Sequence, residues 1–168
     1  IIMLLNASQA DFNGTFGTLE SEKARLYNLV KADKSDVFVY YSGHGAPDIA
    51  ENAGYFVPVD CDPSLVKFNG YSMNTFYQNL SKLPYRSLTV VIDACFSGSS
   101  DKGTLLAQTS LARIKSETGK LNDPNAVVLT AATGDQVASW YPDQYHSLFT
   151  YYFLKAVQGA ANADRSNA

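Results

Sequence analysis

The sequence predicts an α/β protein built on an open, mostly parallel sheet with helices on both faces. Short runs of β-branched and aromatic residues alternate along the chain with segments whose apolar residues recur at helical spacing. One run, residues 88–94 (LTVVIDA), is almost continuously apolar, which is typical of a parallel strand buried on both faces. Together these observations indicate strands that are joined by helical connections.

Three strands and two helices are predicted in the first half of the chain. The apolar run at residues 1–5 and the β-branched, aromatic run at 36–41 predict strands, and residues 55–59 predict a third, short strand. Residues 18–32 and 72–83 carry apolar side chains on one face at helical spacing, and they predict helices. Each predicted helix lies between two predicted strands.

The second half begins with a long connection. Residues 97–125 hold clusters of Ser, Gly, Lys and Asp around a short helix predicted at 105–114, and we interpret them as a surface segment. Residues 126–132 predict another buried strand, and residues 147–157 predict a helix that Gly159 ends. The alternation of strand and helix therefore continues after the connection.

Composition and charge are those of an ordinary globular domain. The 168 residues suffice for one domain, which we expect to span residues 1–160 with a polar tail at 161–168. The net charge of −3 does not suggest a nucleic-acid partner, and no apolar run approaches the ~18 residues of a membrane helix. Because the chain starts without methionine and within an apolar run, we expect a fragment of a longer protein with room for further domains.

The two cysteines, Cys61 and Cys95, are too few for a disulfide framework, so we expect a reducing, cytoplasmic location. Cys61 lies between carboxylates, which would raise the pKa of its thiol. A plain loop thiol and a redox-active cysteine both stay open for Cys61. Cys95 differs because it ends an apolar run and opens a Gly/Ser loop.

A candidate base and a candidate nucleophile follow the two most strand-like runs. His44 lies between two glycines after residues 36–41, and Cys95 follows residues 88–94. Ligands of open α/β sheets bind beyond the carboxyl ends of the strands, so parallel neighbours would bring imidazole and thiol to one edge. A histidine can take the thiol proton and return one to a leaving amine, while the Gly45 and Cys95 amides suit a developing oxyanion. Taken alone, each residue has an ordinary alternative, a turn histidine or an inert buried cysteine.

Two motifs carry a family resemblance. Residues 40–45 (YYSGHG) and 91–98 (VIDACFSG) closely resemble the two catalytic motifs of the caspase and metacaspase clan. The nearest likeness is to the caspase-like peptidases of bacteria (peptidase C14) and to metacaspases. The two motifs lie about 50 positions apart, as the histidine and cysteine of caspases do. Further likeness extends the resemblance over residues 36–159, at 55–60 (YFVPVD), 128–132 (VLTAA) and 148–154 (LFTYYFL).

The resemblance implies a caspase-like fold and a cysteine endopeptidase that acts on polypeptides. His44 and Cys95 match the catalytic dyad, and the amides of Gly45 and Cys95 match the oxyanion donors. Ser42 and Asp93, each two positions before a member of the dyad, match residues that line the S1 pocket of metacaspases. A carboxylate at Asp93 suits an Arg or Lys side chain at P1. The alternative is a structural carboxylate that caps a loop.

The resemblance also divides the chain into a large-subunit-like part (about 1–100), a connecting segment (about 99–125) and a small-subunit-like part (about 126–160). If P1 is basic, the cationic residues of the connecting segment are candidate sites of self-processing. A solvated polar loop is the alternative for these residues, which are Lys102, Arg113, Lys115 and Lys120.

Two further side chains have open interpretations. Trp140 lies in a loop that the resemblance places near the substrate cleft, where it could form an apolar wall for P2. The alternative for Trp140 is a packed loop aromatic. His146 precedes a predicted helix and is either a second general base or a surface histidine near a helix cap.

The sequence departs from the family pattern in three places. Phe96 stands where metacaspases commonly have a histidine. The family's first strand and helix are not found before residue 1. Asp60, Asp62 and Asp101 are too scattered for calcium, which needs six or more oxygens. We therefore expect no required metal or cofactor, and calcium activation has no clear site.

Two other functions stay open. A caspase-fold scaffold or signalling module would share the fold and cut nothing, although the intact pair of His44 and Cys95 argues against it. A legumain-like, Asn-specific peptidase or transamidase would share the clan motifs. Asp93 favours a basic P1 residue over asparagine.

Overall fold

The computed structural model describes residues 1–48, 50–96, 121–131 and 139–162, and the backbone alone of 99–100 and 103–104. These residues form five α-helices: α1 Gln9–Phe16, α2 Arg25–Leu29, α3 Val66–Asn69, α4 Met73–Ser81 and α5 Leu148–Lys155. They also form ten strands: β1 Asp36–Ser42, β2 Gly45–Asp48, β3 Ala53–Phe56, β4 Tyr71–Ser72, β5 Ser87–Asp93, β6 Ser99–Ser100, β7 Gly103–Thr104, β8 Ala126–Thr130, β9 Trp140–Tyr141 and β10 His146–Ser147.

The central sheet is parallel, in the order β1-β5-β8. β1 and β5 run in register from the pair Asp36 and Ser87 to the pair Ser42 and Asp93. β8 lies on the other side of β5. The strands predicted at 36–41 and 88–94 are therefore confirmed as β1 and β5, and they are parallel neighbours.

Helices lie on both faces of this sheet. Val37 and Val39 of β1 belong to the main core, which also contains side chains of α1 and α4. On the opposite face the ring of Phe38 stacks on Phe153 of α5 at 6.4 Å, and Tyr40 lies beside the same helix. The predicted α/β class with helices on both faces is confirmed.

Aromatic side chains fill the space between the sheet, α1 and α4. The fully buried ring of Phe56 in β3 has its centroid 5.8 Å from Phe12, 4.6 Å from Tyr41, 5.1 Å from Phe76 and 5.6 Å from Phe96. Such pairs contribute about 0.5–1.5 kcal/mol each beyond their buried area. Phe56 thereby joins the small antiparallel sheet β2-β3-β4 to α1, β1, α4 and the loop after β5.

The helices predicted at 72–83 and 147–157 are confirmed. Each begins at a serine N-cap, Ser72 before α4 and Ser147 before α5, whose hydroxyl accepts the backbone N–H three residues later. A π-helical turn continues α5, and Gly159 adopts φ 107° within it. Glycine tolerates this left-handed conformation, so the helix ends where the sequence predicts.

The helix predicted at 18–32 is wrong in its extent. Only α2 forms within it, and α1 precedes it where no helix was predicted. Ser8 and Asp11 form a reciprocal capping box at the start of α1, and Gly17 with φ 91° turns the chain out of this helix. The apolar residues of the predicted helix are thus divided between a loop and α2.

Two predicted strands are corrected. Residues 1–5 are not a strand: their apolar side chains are largely exposed, and no strand of the described residues pairs with them. An apolar run forms a strand only where a neighbour accepts its backbone hydrogen bonds. The strand predicted at 55–59 is instead β3, which ends before Pro58, a residue without an N–H to donate.

The strand predicted at 126–132 forms as β8, but it is less buried than expected. Val127 and Leu129 are exposed, and their neighbours are half-buried. Within the described residues β8 has one neighbour, β5, so it forms an edge of the sheet. Most of the predicted connection 97–125, including the helix at 105–114, lies outside the described residues.

Candidate active site

Two loops leave the sheet at the carboxyl ends of its strands, from the adjacent ends of β1 and β5. Ser42 and Asp93 form the last pair of the register, and the Gly43 N–H donates to the Asp93 carbonyl at 3.2 Å. His44 and Cys95 each follow this pair by two residues. The parallel register therefore brings the predicted base and the predicted nucleophile to the same edge.

The backbone of His44 is held at its carbonyl oxygen by two donors. The Tyr41 hydroxyl donates to it at 2.7 Å, and the Val57 N–H donates at 3.0 Å. Burial raises the pKa of Tyr41, so its hydroxyl keeps its proton and stays a donor. His44 itself is exposed. A fixed main chain with a solvent-facing imidazole suits a base that must reach a substrate.

Gly45 is buried against the loop that contains Cys95. A Cβ at this position would lie 2.6 Å from the carbonyl oxygen of Cys95 and 2.5 Å from Cδ1 of Phe96. Val57 donates to the carbonyl of His44, so Gly45 and Phe56 form a non-hydrogen-bonded pair of the β2-β3 ladder. The ladder therefore does not use the Gly45 N–H, the amide predicted as an oxyanion donor.

Cys95 is a half-buried residue between two buried ones, Ala94 and Phe96. The Phe96 ring meets Phe56 edge-on at 5.6 Å. The position at which metacaspases commonly have a histidine is thus a core anchor here. This anchor holds the backbone on the carboxyl side of Cys95 against the small sheet.

Asp93 is buried at the end of β5, with 5% of its surface exposed. Its Oδ2 accepts hydrogen bonds from the hydroxyls of Ser147 and Thr150, at the start of α5. Within the described residues, no lysine, arginine or histidine nitrogen lies at ion-pair distance from this carboxylate. Among the described residues, the hydrogen-bond partners of this buried carboxylate are therefore neutral hydroxyls.

Residues 15–167 match the family model of the caspase domain, peptidase C14. The chain belongs to the caspase-domain family. This match confirms the family that the motifs around His44 and Cys95 resemble, together with its α/β fold. The family is one of cysteine peptidases, whose substrates are polypeptides. A comparison with curated proteins finds no significant match.

The caspase domain brings the predicted pocket residues to the same region. Ser42 is exposed and pairs with Asp93 across β1 and β5. Trp140 is half exposed and lies opposite Ser147 in the β9-β10 hairpin. Ser147 bonds Asp93, so Trp140 is the cross-strand neighbour of a residue that contacts the buried acid.

Four residues around the site of this caspase domain were not singled out from the sequence. Tyr41 holds the loop of His44. Ser147 and Thr150 bond Asp93, and Tyr40 bonds Thr150. A serine before an apolar run signals a helix N-cap and could have drawn attention to the first turn of α5. Nothing in the sequence pairs that turn with Asp93.

The other two candidate side chains lie elsewhere in the domain. His146 is half-buried in β10, with its ring 5.9 Å from that of Tyr151, so it packs as an aromatic near the helix cap. Burial, followed by the charges of Asp60 and Asp62, raises the pKa of Cys61. The raised pKa makes Cys61 a weak nucleophile and favours the plain loop thiol.

Among the described residues there is no group of three or more His, Cys, Asp or Glu side chains that could hold a metal ion. In the same part of the chain, no helix combines the length and apolarity needed to cross a bilayer.

Proposed function

We propose that this caspase domain is a cysteine endopeptidase in which Cys95 is the nucleophile and His44 the general base. The observation that supports the proposal most directly is the matched position of the two residues, each two beyond the Ser42 and Asp93 pair. The close approach of Gly45 to the Cys95 carbonyl keeps the two loops in contact. Holding reactants in such a geometry can supply much of a rate enhancement.

The reaction proceeds in two steps. The Cys95 thiol gives its proton to His44, and the thiolate attacks the peptide carbonyl, whose oxygen accepts hydrogen bonds from the Gly45 and Cys95 amides. The C–N bond breaks as His44 protonates the leaving amine, which leaves a thioester. Water then gives a proton to His44 and attacks the thioester. The C–S bond breaks, His44 returns the proton to the Cys95 sulfur, and the carboxylic acid leaves.

Cleavage after Arg or Lys is the specificity that Asp93 favours. A buried carboxylate bonded by hydroxyls, with no cation beside it among the described residues, is an anionic site that a P1 cation would neutralise. Ser42 lies across from Asp93 at the rim, and Trp140 supplies an exposed apolar surface suited to P2. The basic P1 preference groups this domain with metacaspases.

Cysteine variants test the peptidase. Cys95→Ala should abolish cleavage of a fluorogenic Arg-P1 peptide, and His44→Ala should slow it about 10²–10⁴-fold, the usual contribution of a general base. Cys61→Ala is the matched control, since it removes the other thiol and should keep full activity. Equal turnover by the Cys95→Ala variant would refute the proposal and favour the scaffold function.

A peptide library separates the remaining alternatives. Turnover confined to Arg and Lys at P1 supports the role of Asp93, whereas turnover after Asn would favour a legumain-like peptidase. Self-processing at Lys102, Arg113, Lys115 or Lys120 would appear in mass spectra of the purified chain as new termini directly after these residues. The Cys95→Ala variant should give no such termini.

A reducing, cytoplasmic location is also part of the proposal. Neither Cys61 nor Cys95 forms a disulfide. Fractionation of cells that produce the full-length protein tests the location, and recovery in an oxidising compartment would contradict it.

A further inference from the structure

The first turn of α5 carries more hydrogen bonds than its own cap requires. Ser147 is the N-cap, and its Oγ accepts the Thr150 N–H at 3.0 Å. The same hydroxyl donates its proton to Oδ2 of Asp93. The Thr150 hydroxyl donates to the same carboxylate oxygen. One helix turn therefore presents two hydroxyl donors to a carboxylate that lies more than 50 residues earlier in the chain.

The same hydrogen-bond network includes Tyr40 of β1. The single hydroxyl proton of Thr150 is used for Asp93, so Tyr40, whose oxygen lies 2.6 Å from Thr150 Oγ1, must be the donor in that contact. The chain of donation then runs from Tyr40 to Thr150 to Asp93. Such chains polarise one another, so each bond strengthens the next.

The contact with Asp93 is not a by-product of helix capping. α4 begins in the same way, with Ser72 as N-cap and its Oγ accepting the Thr75 N–H at 3.4 Å. In the described part of the chain, the Ser72 and Thr75 hydroxyls do not bond a carboxylate. The same Ser-x-x-Thr cap thus forms a helix start at α4 and a helix start with a carboxylate clamp at α5.

We infer that Ser147 and Thr150 are positioning residues of the S1 pocket, which hold the Asp93 carboxylate in the direction that selects a basic P1 side chain. This inference rests on the proposed role of Asp93. Both hydroxyls bond Oδ2, so neither of them occupies Oδ1, and we expect Oδ1 to accept the guanidinium or ammonium group of the substrate. The P1 preference therefore depends on α5, a helix after the connecting segment, because α5 orients the Asp93 carboxylate of β5.

The test is a double variant with a matched control. Ser147→Ala with Thr150→Val removes both donors, and Ser72→Ala with Thr75→Val removes the same cap chemistry at α4. The full chain is assayed with two peptides that differ only in Arg or its neutral isostere citrulline at P1. Hydrogen bonds to charged groups are strong enough that we expect the Arg preference to fall about tenfold in the first variant. The second variant should keep its preference.

The kinetic parameters separate positioning from plain structural damage. The loss should appear mainly as a higher KM for the Arg peptide, because Asp93 contacts the P1 side chain and not the reacting atoms. Thr150→Ser, made as a single variant, keeps a hydroxyl at this position and should keep the Arg preference of the wild type. If the double variant does not fold by circular dichroism, Thr150→Val alone, which keeps the cap, gives the same comparison.

Each result has a defined meaning. Unchanged selectivity in the folded double variant, or an equal loss on both peptides, overturns the inference and leaves the proposed function standing. Asp93→Asn, assayed in parallel, tests the proposed function itself. If that variant keeps the Arg preference, the basic P1 pocket is wrong, and the inference fails with it.

Discussion

A methyl group at position 45 is the most direct probe of the contact between the two loops. In Gly45→Ala the new Cβ would lie 2.6 Å from the Cys95 carbonyl oxygen and 2.5 Å from Phe96 Cδ1. Neither neighbour can yield easily, since the first is backbone and the second belongs to a buried ring packed on Phe56. The two loops must therefore move apart by a sizeable fraction of an ångström.

The expected magnitude follows from this displacement. A shift of about 1 Å in a catalytic arrangement costs on the order of 10² in rate, so kcat/KM of Gly45→Ala should fall about a hundredfold. Overpacking of a core typically costs about 1–3 kcal/mol, so the free energy of unfolding should fall by that amount. The assay pairs steady-state cleavage of an Arg-P1 peptide with urea unfolding followed by circular dichroism.

Gly70→Ala is the matched control for steric strain. Its Cβ would also lie 2.6 Å from a backbone carbonyl oxygen, that of Val66, but on the far side of β3 from the Cys95 loop. The φ of Gly70 is −81°, and Gly45 is not among the glycines with positive φ, so alanine fits the backbone at both positions and both variants test steric contact. We expect similar losses of stability and a large loss of activity only in Gly45→Ala. Equal activity of the two variants would refute the reasoning.

Two further predictions concern hydrogen bonds. Tyr41→Phe keeps the ring and removes the donor to the His44 carbonyl, so the free energy of unfolding should fall by about 1 kcal/mol and kcat should fall about three- to tenfold. The control is Tyr85→Phe, at the opposite end of the sheet, which should lose stability alone. An unchanged kcat in Tyr41→Phe would contradict the positioning role of Tyr41. The hydrogen bonds and charge of Arg86, with a hydrogen bond from Ser87, lower the pKa of Asp36 to about 2 from 3.8. A lowered folded-state pKa stabilises the fold above the unfolded value, and that stabilisation is lost as the pH falls from about 4 to about 2; acid unfolding of Asp36→Asn should lack this component, and identical acid profiles would disprove it.

Local patterns predicted the elements whose signals lie within one segment. The parallel strands were recognisable from β-branched and continuous apolar runs, and α4 and α5 from one apolar face behind a serine. α1 was missed because Phe12 and Phe16 are too few to produce a helical stripe. Its signal was the capping box of Ser8 and Asp11, which is polar and depends on hydrogen bonds instead of apolar periodicity.

The errors at the strands have two physical causes. Residues 1–5 and 126–132 are both largely apolar in the sequence, but among the described residues only the second segment pairs with another strand, β5. A strand is defined by its neighbour, which the composition of the strand does not specify. The burial of Val127 was overestimated for a different reason: in the parallel register it shares a face of the sheet with Phe38, which is also exposed.

From the sequence one can predict that a histidine loop and a cysteine loop each follow a strand, with Ser42 two positions before His44 and Asp93 two positions before Cys95. The folded arrangement adds that β1 and β5 are neighbours in the register that aligns these pairs, that Gly45 packs on the Cys95 carbonyl, and that the first turn of α5 holds Asp93. Motifs are local because they reflect the chemistry of single loops. Register and clamp join segments more than 50 residues apart, and such contacts depend on how whole elements pack against each other.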